Sequence, residues 1–330
     1  MKPPDFWYGE ARGLLPQVLR PVGALYALGG QVRRALQRPW YPTVPVICVG
    51  NLTAGGTGKT PTAIAIARFL RSRGLEAHFL TRGYGGTNTS PLQVDPSTHD
   101  AGLVGDEPLL LASVAPTWVS PDRKASAELA IEAGAKVLVM DDGFQNPSLH
   151  KDVSIVVVDG EVGFGNGRVM PAGPLREPML DGLSRADVVL IVGEDKLGLA
   201  ATLTCPRKKP LTILRAKLMP DPGQAIAGKT VVAFAGIGRP EKFFTTLREM
   251  GCEIADTTSF DDHHPYSVDE IDTLVQKAAS MNTELITTTK DHARLAPDQA
   301  SNVRALAVHL AWDDAAALEL LLQPVLPDAE

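Results

Sequence analysis

Cysteine is scarce in this 330-residue chain: Cys48, Cys205 and Cys252 stand far apart, with no CxxC pair and no metal-ligand spacing. That excludes a disulfide framework and a thiolate-built zinc site, and reads as reduced, mostly buried thiols in a cytosolic setting. Long apolar runs are missing too. The apolar stretch near the N-terminus carries Arg20 and is broken by Pro16 and Pro21. It therefore matches neither a secretory signal nor the roughly 18 uninterrupted apolar residues of a membrane-spanning helix. Positive charge is in deficit, with 32 Lys and Arg against 38 Asp and Glu for a net of −6, which argues against a general nucleic-acid binder. No repeat and no low-complexity tract is present. No Asn-Lys pair occurs either, so the Asn-Lys-x-Asp loop that usually reads guanine is absent.

What is present is a strand–helix alternation. Short aliphatic runs at 44–49, 77–81, 117–119, 136–140, 153–158, 188–192 and 211–214 read as buried strands. Helical stretches fall between several of them: 60–73 with Gly74 as its stop, 106–114, and one capped by Asp122 that runs to Ala133. The fold class is α/β, a P-loop NTPase-like parallel sheet covered on both faces, with a second, smaller α/β domain. The expected organisation is an N-terminal helical segment at 1–40, a nucleotide-binding domain at 41–219, a Pro/Gly-rich linker at 220–228 and the smaller domain at 229–330. In that smaller domain, strands are expected at 230–235, 253–257, 284–288 and 305–309, and helices at 240–250 and 268–279.

Residues 1–40 run against the overall charge. Lys2, Arg12, Arg20, Arg33, Arg34 and Arg38 face only Asp5 and Glu10, a local net of 6 − 2 = +4. Among them lie Phe6, Trp7, Tyr8, Leu14, Leu15, Val18, Leu19, Val22, Leu25, Tyr26 and Leu28. The pattern suits a helix packed on its own domain, the commoner case, or one lying in a lipid headgroup layer.

The sequence VPVICVG-NLTAGGTGKT-PTAIAIARFL gives the strand–glycine loop–helix context of a phosphate loop. Gly55, Gly56 and Gly58 let backbone N–H groups converge on an anion at a helix N-terminus. Lys59 would reach the β- and γ-phosphates and Thr60 would ligate Mg²⁺; Gly50, Thr53, Ala54 and Thr57 complete the loop. Thr53 occupies the position where the strict motif has glycine. The strand end KVLVMDDGFQ has a Walker-B layout, with Asp141 and Asp142 beside the metal. With no guanine-reading loop, ATP is the expected nucleotide.

Phosphoryl transfer to an alcohol needs a proton acceptor and cations around the moving group. Asp106 and Glu107 of VGDEP are candidates, although Asp106 could simply cap its helix. Arg123 and Lys124 sit at a helix start, where basic residues oppose the dipole. Arg176 and Glu177 lie in the proline-rich MPAGPLREP. FDDHHPYS packs His263 and His264 beside two aspartates, with a general-base or proton-relay role across the interdomain cleft as the sharper reading and a turn as the plainer one.

In this order GNLTAGGTGKTP, TRGYGG, VGDEPLLLA, DDGFQ, MPAGPLREP and DDHHPYS resemble the tetraacyldisaccharide 4′-kinases (lipid A 4′-kinases), over nearly the whole chain. The resemblance implies an ATP- and Mg²⁺-dependent kinase that phosphorylates the 4′-hydroxyl of an acylated glucosamine disaccharide 1-phosphate at the cytoplasmic face of the bacterial inner membrane. It implies Asp106 as catalytic base with His263 in support. Lys59 and Thr60 would hold phosphate and metal, with Asp141, Asp142 and Gln145 in the same shell. Arg123, Arg176 and Glu177 would line the site, Glu177 on the metal side. Asn146, where the family usually has histidine, and Thr289 and His292 in TTTKDHARL depart from its pattern. The lipid substrate turns the N-terminal segment toward the membrane-surface reading; neither nucleic acid nor a protein partner is implied. Two other classes stay open. A P-loop ATPase or GTPase switch or metallochaperone would usually carry a Cys/His relay, which is missing, and a soluble small-molecule kinase would pack its N-terminus as core.

Overall fold

The computed structural model describes residues 4–9, 13–204 and 211–326. Cys205, Lys2, Glu10 and Arg12 lie outside them. Eight strands run through the first two thirds of the chain: β1 Val46–Gly50, β2 Ala77–Thr81, β3 Leu92–Gln93, β4 Thr117–Val119, β5 Val137–Asp141, β6 Val153–Asp159, β7 Val188–Val192 and β8 Thr212–Pro220. Then come β9 Thr230–Ala235, β10 Glu253–Ser259, β11 Glu284–Thr288, β12 Arg304–Leu306 and β13 Val308–Trp312. They form a nine-stranded sheet, ordered β13-β8-β7-β6-β1-β5-β2-β4-β3, and a four-stranded sheet, ordered β10-β9-β11-β12. The larger sheet is parallel except at its two margins, where β13 and β3 run antiparallel to their neighbours.

The aliphatic runs are continuous because both faces of the sheet are covered. Ile47, Val49, Val139, Ile155 and Val157 point into one core, and Val46, Cys48, Leu138, Met140, Val156 and Val158 into the other. Cys48 and Cys252 are free and buried. Asp122 accepts from the N–H groups of Lys124 and Ala125 to cap helix Arg123–Glu132, and Gly74, at φ 79°, follows helix Lys59–Ser72.

The expected boundary at 229–330 needs correcting. The run 305–309 is two strands, not one: β12 completes the small sheet, and after Ala307 the chain returns to pair β13 with β8. The outward crossing at Asp221 lies beside the return crossing, with Asp221 N donating to Ala307 O at 3.0 Å. Residues 308–326 therefore belong with the larger sheet. Helix Ala315–Leu322 buries Leu318 and Leu322 in its core. Each buried leucine contributes about 1.5–3 kcal/mol, more than the exposed Arg73–Glu319 pair at 2.7 Å, worth about 0.2–1 kcal/mol. Between the two units, Arg239 and Lys242 grip Asp159 at the end of β6, Arg239 Nη1 at 3.0 Å.

Near the N-terminus, helix Leu14–Val18 is followed by helix Arg20–Leu36, with Pro21 in the first turn where its missing N–H is tolerated. Only Gly23 of the longer helix is buried. Leu14, Leu25 and Leu36 are 80%, 70% and 80% exposed, so the reading in which this segment packs as core does not hold. Polar contacts tie it to the body instead: Trp7 Nε1 donates to Pro171 O at 3.1 Å, Gln31 to Asp181 at 2.6 Å, and Tyr8 Oη to Ala54 O at 3.3 Å. No described helix is long and apolar enough to cross a membrane.

Candidate active site

The loop after β1 is shaped by two neighbours. A Cβ on Gly50 would lie 2.5 Å from the Cβ of Phe144, so glycine is required there because DDGF crosses the end of β1. The segment MPAGPLREP then pairs with the loop: Ala54 N donates to Pro174 O at 2.8 Å, Arg176 N donates to Leu52 O at 2.7 Å, and Thr53 forms a bridge with Leu175. An extended, bridged residue tolerates a side chain, which accounts for threonine in the glycine position. Gly55 and Gly58 take left-handed conformations, and helix Lys59–Ser72 starts directly after Gly58.

Thr60 Oγ1 donates to Asp141 Oδ2 at 2.9 Å, while Asp141 Oδ1 is buried with no hydrogen-bond partner in the protein. Asn51 Oδ1, Thr57 Oγ1 and Arg123 Nε are orphaned in the same way. Buried polar atoms without partners are costly, and here they gather around a phosphate-loop helix. A hydroxyl and carboxylate oxygens are hard donors of the kind Mg²⁺ takes, so the residues fit that ion. Burial and then the neighbouring Asp142 push Asp141 up to about 6. For Asp142, burial is outweighed by Lys59 and Arg176, which hold it below its ordinary value. Lys59 Nζ lies 3.8 Å and Arg176 Nη1 2.7 Å from Asp142 Oδ1. Burial lowers Lys59 and takes Arg123 down to about 10.

Glu177, expected on the metal side, lies beside the loop among cationic neighbours. Its carboxylate, 2% exposed, takes Arg34 at 3.2 Å, a short contact from Arg185, and Gln145 Nε2 at 3.0 Å. Both guanidinium groups meet its Oε2, while Oε1 receives Gln145. Through Gln145, which also donates to Asn51 O at 2.8 Å, it braces the phosphate loop. Asn146 Oδ1 is engaged locally with Ser148 at 2.6 Å, and His292 Nε2 contacts Ala300 O at 3.2 Å.

The opposite wall forms where the second domain meets Asp106 of the first. Asp106 is not a helix cap: the cap position is Gly105, held at φ 89° where a Cβ would meet Tyr84 O at 2.6 Å. The Asp106 side chain, buried, instead meets His263 Nδ1 at 3.1 Å and Arg294 Nε at 2.8 Å. Burial alone would raise its pKa, but the hydrogen bonds from His263 and Glu107 and the charges of Lys290 and Arg294 hold it well below the carboxylate range. Burial and the adjacent Asp106 push Glu107 up to about 7. His263 has φ 59°, uncommon for a side chain of its size, and the ring of Tyr84 packs edge-on against it at 5.3 Å. The other histidine of FDDHHPYS is structural, since His264 pairs with Glu270 at 3.0 Å and stacks on Phe260. Lys290 and Arg294 escaped the sequence reading. Only their place in TTTKDHARL, itself part of the resemblance, could have pointed to them.

The two walls come close. A Cβ on Gly238, in the loop after β9, would lie 3.8 Å from Gly56 N and 3.5 Å from Asp262 Oδ2. A nucleotide-hydrolysing switch needs the phosphate loop and its carboxylate. A buried carboxylate of the same domain, paired with an imidazole that the other domain brings to it, suits a nucleophile that must lose a proton. Fold and site together define a P-loop phosphotransferase.

A family model described as Tetraacyldisaccharide-1-P 4'-kinase matches residues 15–326, and the chain belongs to that family. It is 50% identical to the tetraacyldisaccharide 4'-kinase of Rhodospirillum centenum over 331 residues, covering 99% of this chain and 97% of the relative. The same-named protein of Paramagnetospirillum magneticum is 51% identical over 316 residues, 95% of each chain. Among solved structures, LpxK from Aquifex aeolicus, crystallised as an "apo" form in complex with ATP, superposes with a TM-score of 0.76 at 26% identity, covering 94% of this chain and 99% of that one.

Proposed function

We propose that this chain transfers the γ-phosphoryl group of ATP to the 4′-hydroxyl of a tetraacylated glucosamine disaccharide 1-phosphate. The observation that carries this reading is the Asp106–His263 pair, 3.1 Å apart, in which the smaller domain sets an imidazole against a carboxylate of the phosphate-loop domain. The hydroxyl oxygen attacks phosphorus, the bond to the β-phosphate oxygen breaks, ADP leaves, and the hydroxyl proton passes to the Asp106–His263 pair. Loop N–H groups from Gly55 to Thr60 and Lys59 hold the phosphates, and Arg123 and Arg176 offer further positive charge. Mg²⁺ would be held by Thr60 and Asp141, with Asp142 alongside, and would supply neutralisation of the phosphate charge.

The acceptor carries acyl chains, so the enzyme works as a peripheral protein at the cytoplasmic face of the inner membrane. The exposed Leu14, Leu15, Val18, Val22, Leu25 and Leu28, with Arg20 and Arg33 nearby, support seating in a headgroup layer. Label from γ-³²P-ATP should appear in the lipid disaccharide and not in phosphate released to water. Hydrolysis without lipid labelling would return the protein to the switch class.

A further inference from the structure

Arg239 and Lys242, which grip Asp159 between the two units, belong to a larger ionic cluster. Arg239 Nη1 donates to Asp159 Oδ2 at 3.0 Å, and its Nη2 makes a short contact with Glu161 Oε2. Lys242 Nζ reaches the same two oxygens at 2.5 and 3.5 Å. From the phosphate-loop domain, Lys196 Nζ donates to Glu161 Oε1 at 2.7 Å. The acidic side is held firmly. Asp159 is buried, its Oδ1 accepts Glu161 N at 2.9 Å, and a Cβ on Gly160 would lie 2.4 Å from Glu194 O. Hydrogen bonds from Lys196 first and then Arg239 outweigh burial and take Glu161 down to about 2. A planar fork laid across two carboxylates fixes geometry as a point charge does not.

The basic side sits where its own helix does not favour it. Arg239 is the N-cap of helix Pro240–Glu249, and Lys242 lies in the first turn. Cations oppose the dipole there, so the contact with Asp159 and Glu161 offsets a local cost. The residue before Arg239 is Gly238, whose Cβ position lies 3.8 Å from Gly56 N. One short segment therefore carries both the arginine fork and a point where the second domain touches the phosphate loop. Tyr8 joins the same neighbourhood, with its Oη donating to Ala54 O at 3.3 Å. Burial raises its phenol, and the charges of Arg239 and Asp159 act on it in opposite directions.

We propose that Arg239, seconded by Lys242, is a positioning residue that latches the second domain onto Asp159 and Glu161 and so holds the loop 236–238 against a nucleotide-filled phosphate loop. The proposal rests on the reading that this phosphate loop binds ATP and ADP. It shares no residue with the Asp106–His263 pair. ADP leaves when the loop 236–238 lifts, so the latch governs how long the product stays. Arg239 and Glu161 are partly exposed, which makes the latch sensitive to salt.

The test uses full-length enzyme with Mg²⁺ and a fluorescent N-methylanthraniloyl ADP, its dissociation followed after a chase with excess unlabelled ADP. Arg239→Gln and Glu161→Gln should each speed dissociation by about tenfold. Neither change empties a core position, and the buried Asp159 is left intact. The double variant should be no more than about twofold faster than the quicker single one, because both changes break one contact. Raising KCl from about 0.05 to about 0.5 M should speed release from the wild type by about threefold or more and shift Arg239→Gln by less than about twofold. Dissociation within about twofold of wild type in both single variants overturns the proposal. So do effects that multiply in the double variant, or a salt response that Arg239→Gln leaves unchanged. Wild-type enzyme that binds no fluorescent ADP sinks the nucleotide reading instead.

Discussion

The two walls of the cleft differ in how far their buried polar groups are paired. Around the phosphate loop, Asn51, Thr57, Arg123 and Asp141 each keep a buried polar atom with no partner in the protein. Where the second domain meets Asp106, the residues Asp106, His263, Lys290, Asp291 and Arg294 lie in a continuous set of ion pairs and hydrogen bonds, although Arg294 Nη2 and Asp262 Oδ1 are buried without a hydrogen bond of their own. Unmet groups cost stability unless something arrives to meet them, whereas a paired network holds its geometry before anything arrives. The first wall is built for a ligand and the second for a proton.

Lys59→Ala is the severest way to probe this contrast, and it should cut lipid phosphorylation by about 10³-fold or more together with ATP binding. Asp106→Ala should cost about 10²- to 10⁴-fold in transfer while ATP affinity, read by titration calorimetry, stays within about threefold. If both variants lose ATP affinity alike, the division between the walls fails.

Asp141 sharpens the first half of the comparison. Its pKa, about 6, lies above the ordinary 3.8, so between those values the native state binds a proton that the unfolded chain does not. Stability at this locus is therefore greatest at low pH and is lost as pH rises through that window. Asp141→Asn should stabilise the ligand-free protein at pH 7.5 by on the order of 1–3 kcal/mol, seen as a higher Tm, while abolishing most turnover. A lowered Tm would show that Asp141 is satisfied without a ligand. The smallest effect belongs to Thr53→Gly, which restores the strict motif. It should lower stability by about 0.5–1 kcal/mol through backbone entropy and leave turnover within about twofold.

Much of this was legible in the residues alone. Aliphatic runs buried on two faces announced the parallel sheet, and the glycine loop followed by Lys59 and Thr60 announced the phosphate site. What stayed hidden depended on pairing across long separations. Nothing local distinguishes β12 from β13, because the break at Ala307 follows from which sheet each half joins. Arg294 reaches Asp106 across 188 positions, and no periodicity reports such a contact. Glu177 read as a metal-side carboxylate because it follows a proline-rich loop with Arg176; its pairing with Arg34 and Arg185 crosses separations the sequence does not report. Between His263 and His264, composition could not choose; the resemblance pointed to His263, and the contacts with Asp106 on one side and Glu270 on the other separate the two.

The paired crossings at Asp221 and Ala307 make the smaller sheet an insertion within a hairpin whose arms are β8 and β13. On the ribosome, β8 can join β7 long before its second neighbour has been made. It must wait with an open edge while residues 221–307 emerge and fold. Arg215 and Lys217 lie on that strand, and charges on an unpaired edge discourage pairing with another chain. The insertion thus sets an order of assembly, in which the catalytic partner of the phosphate loop is finished before the larger sheet is closed.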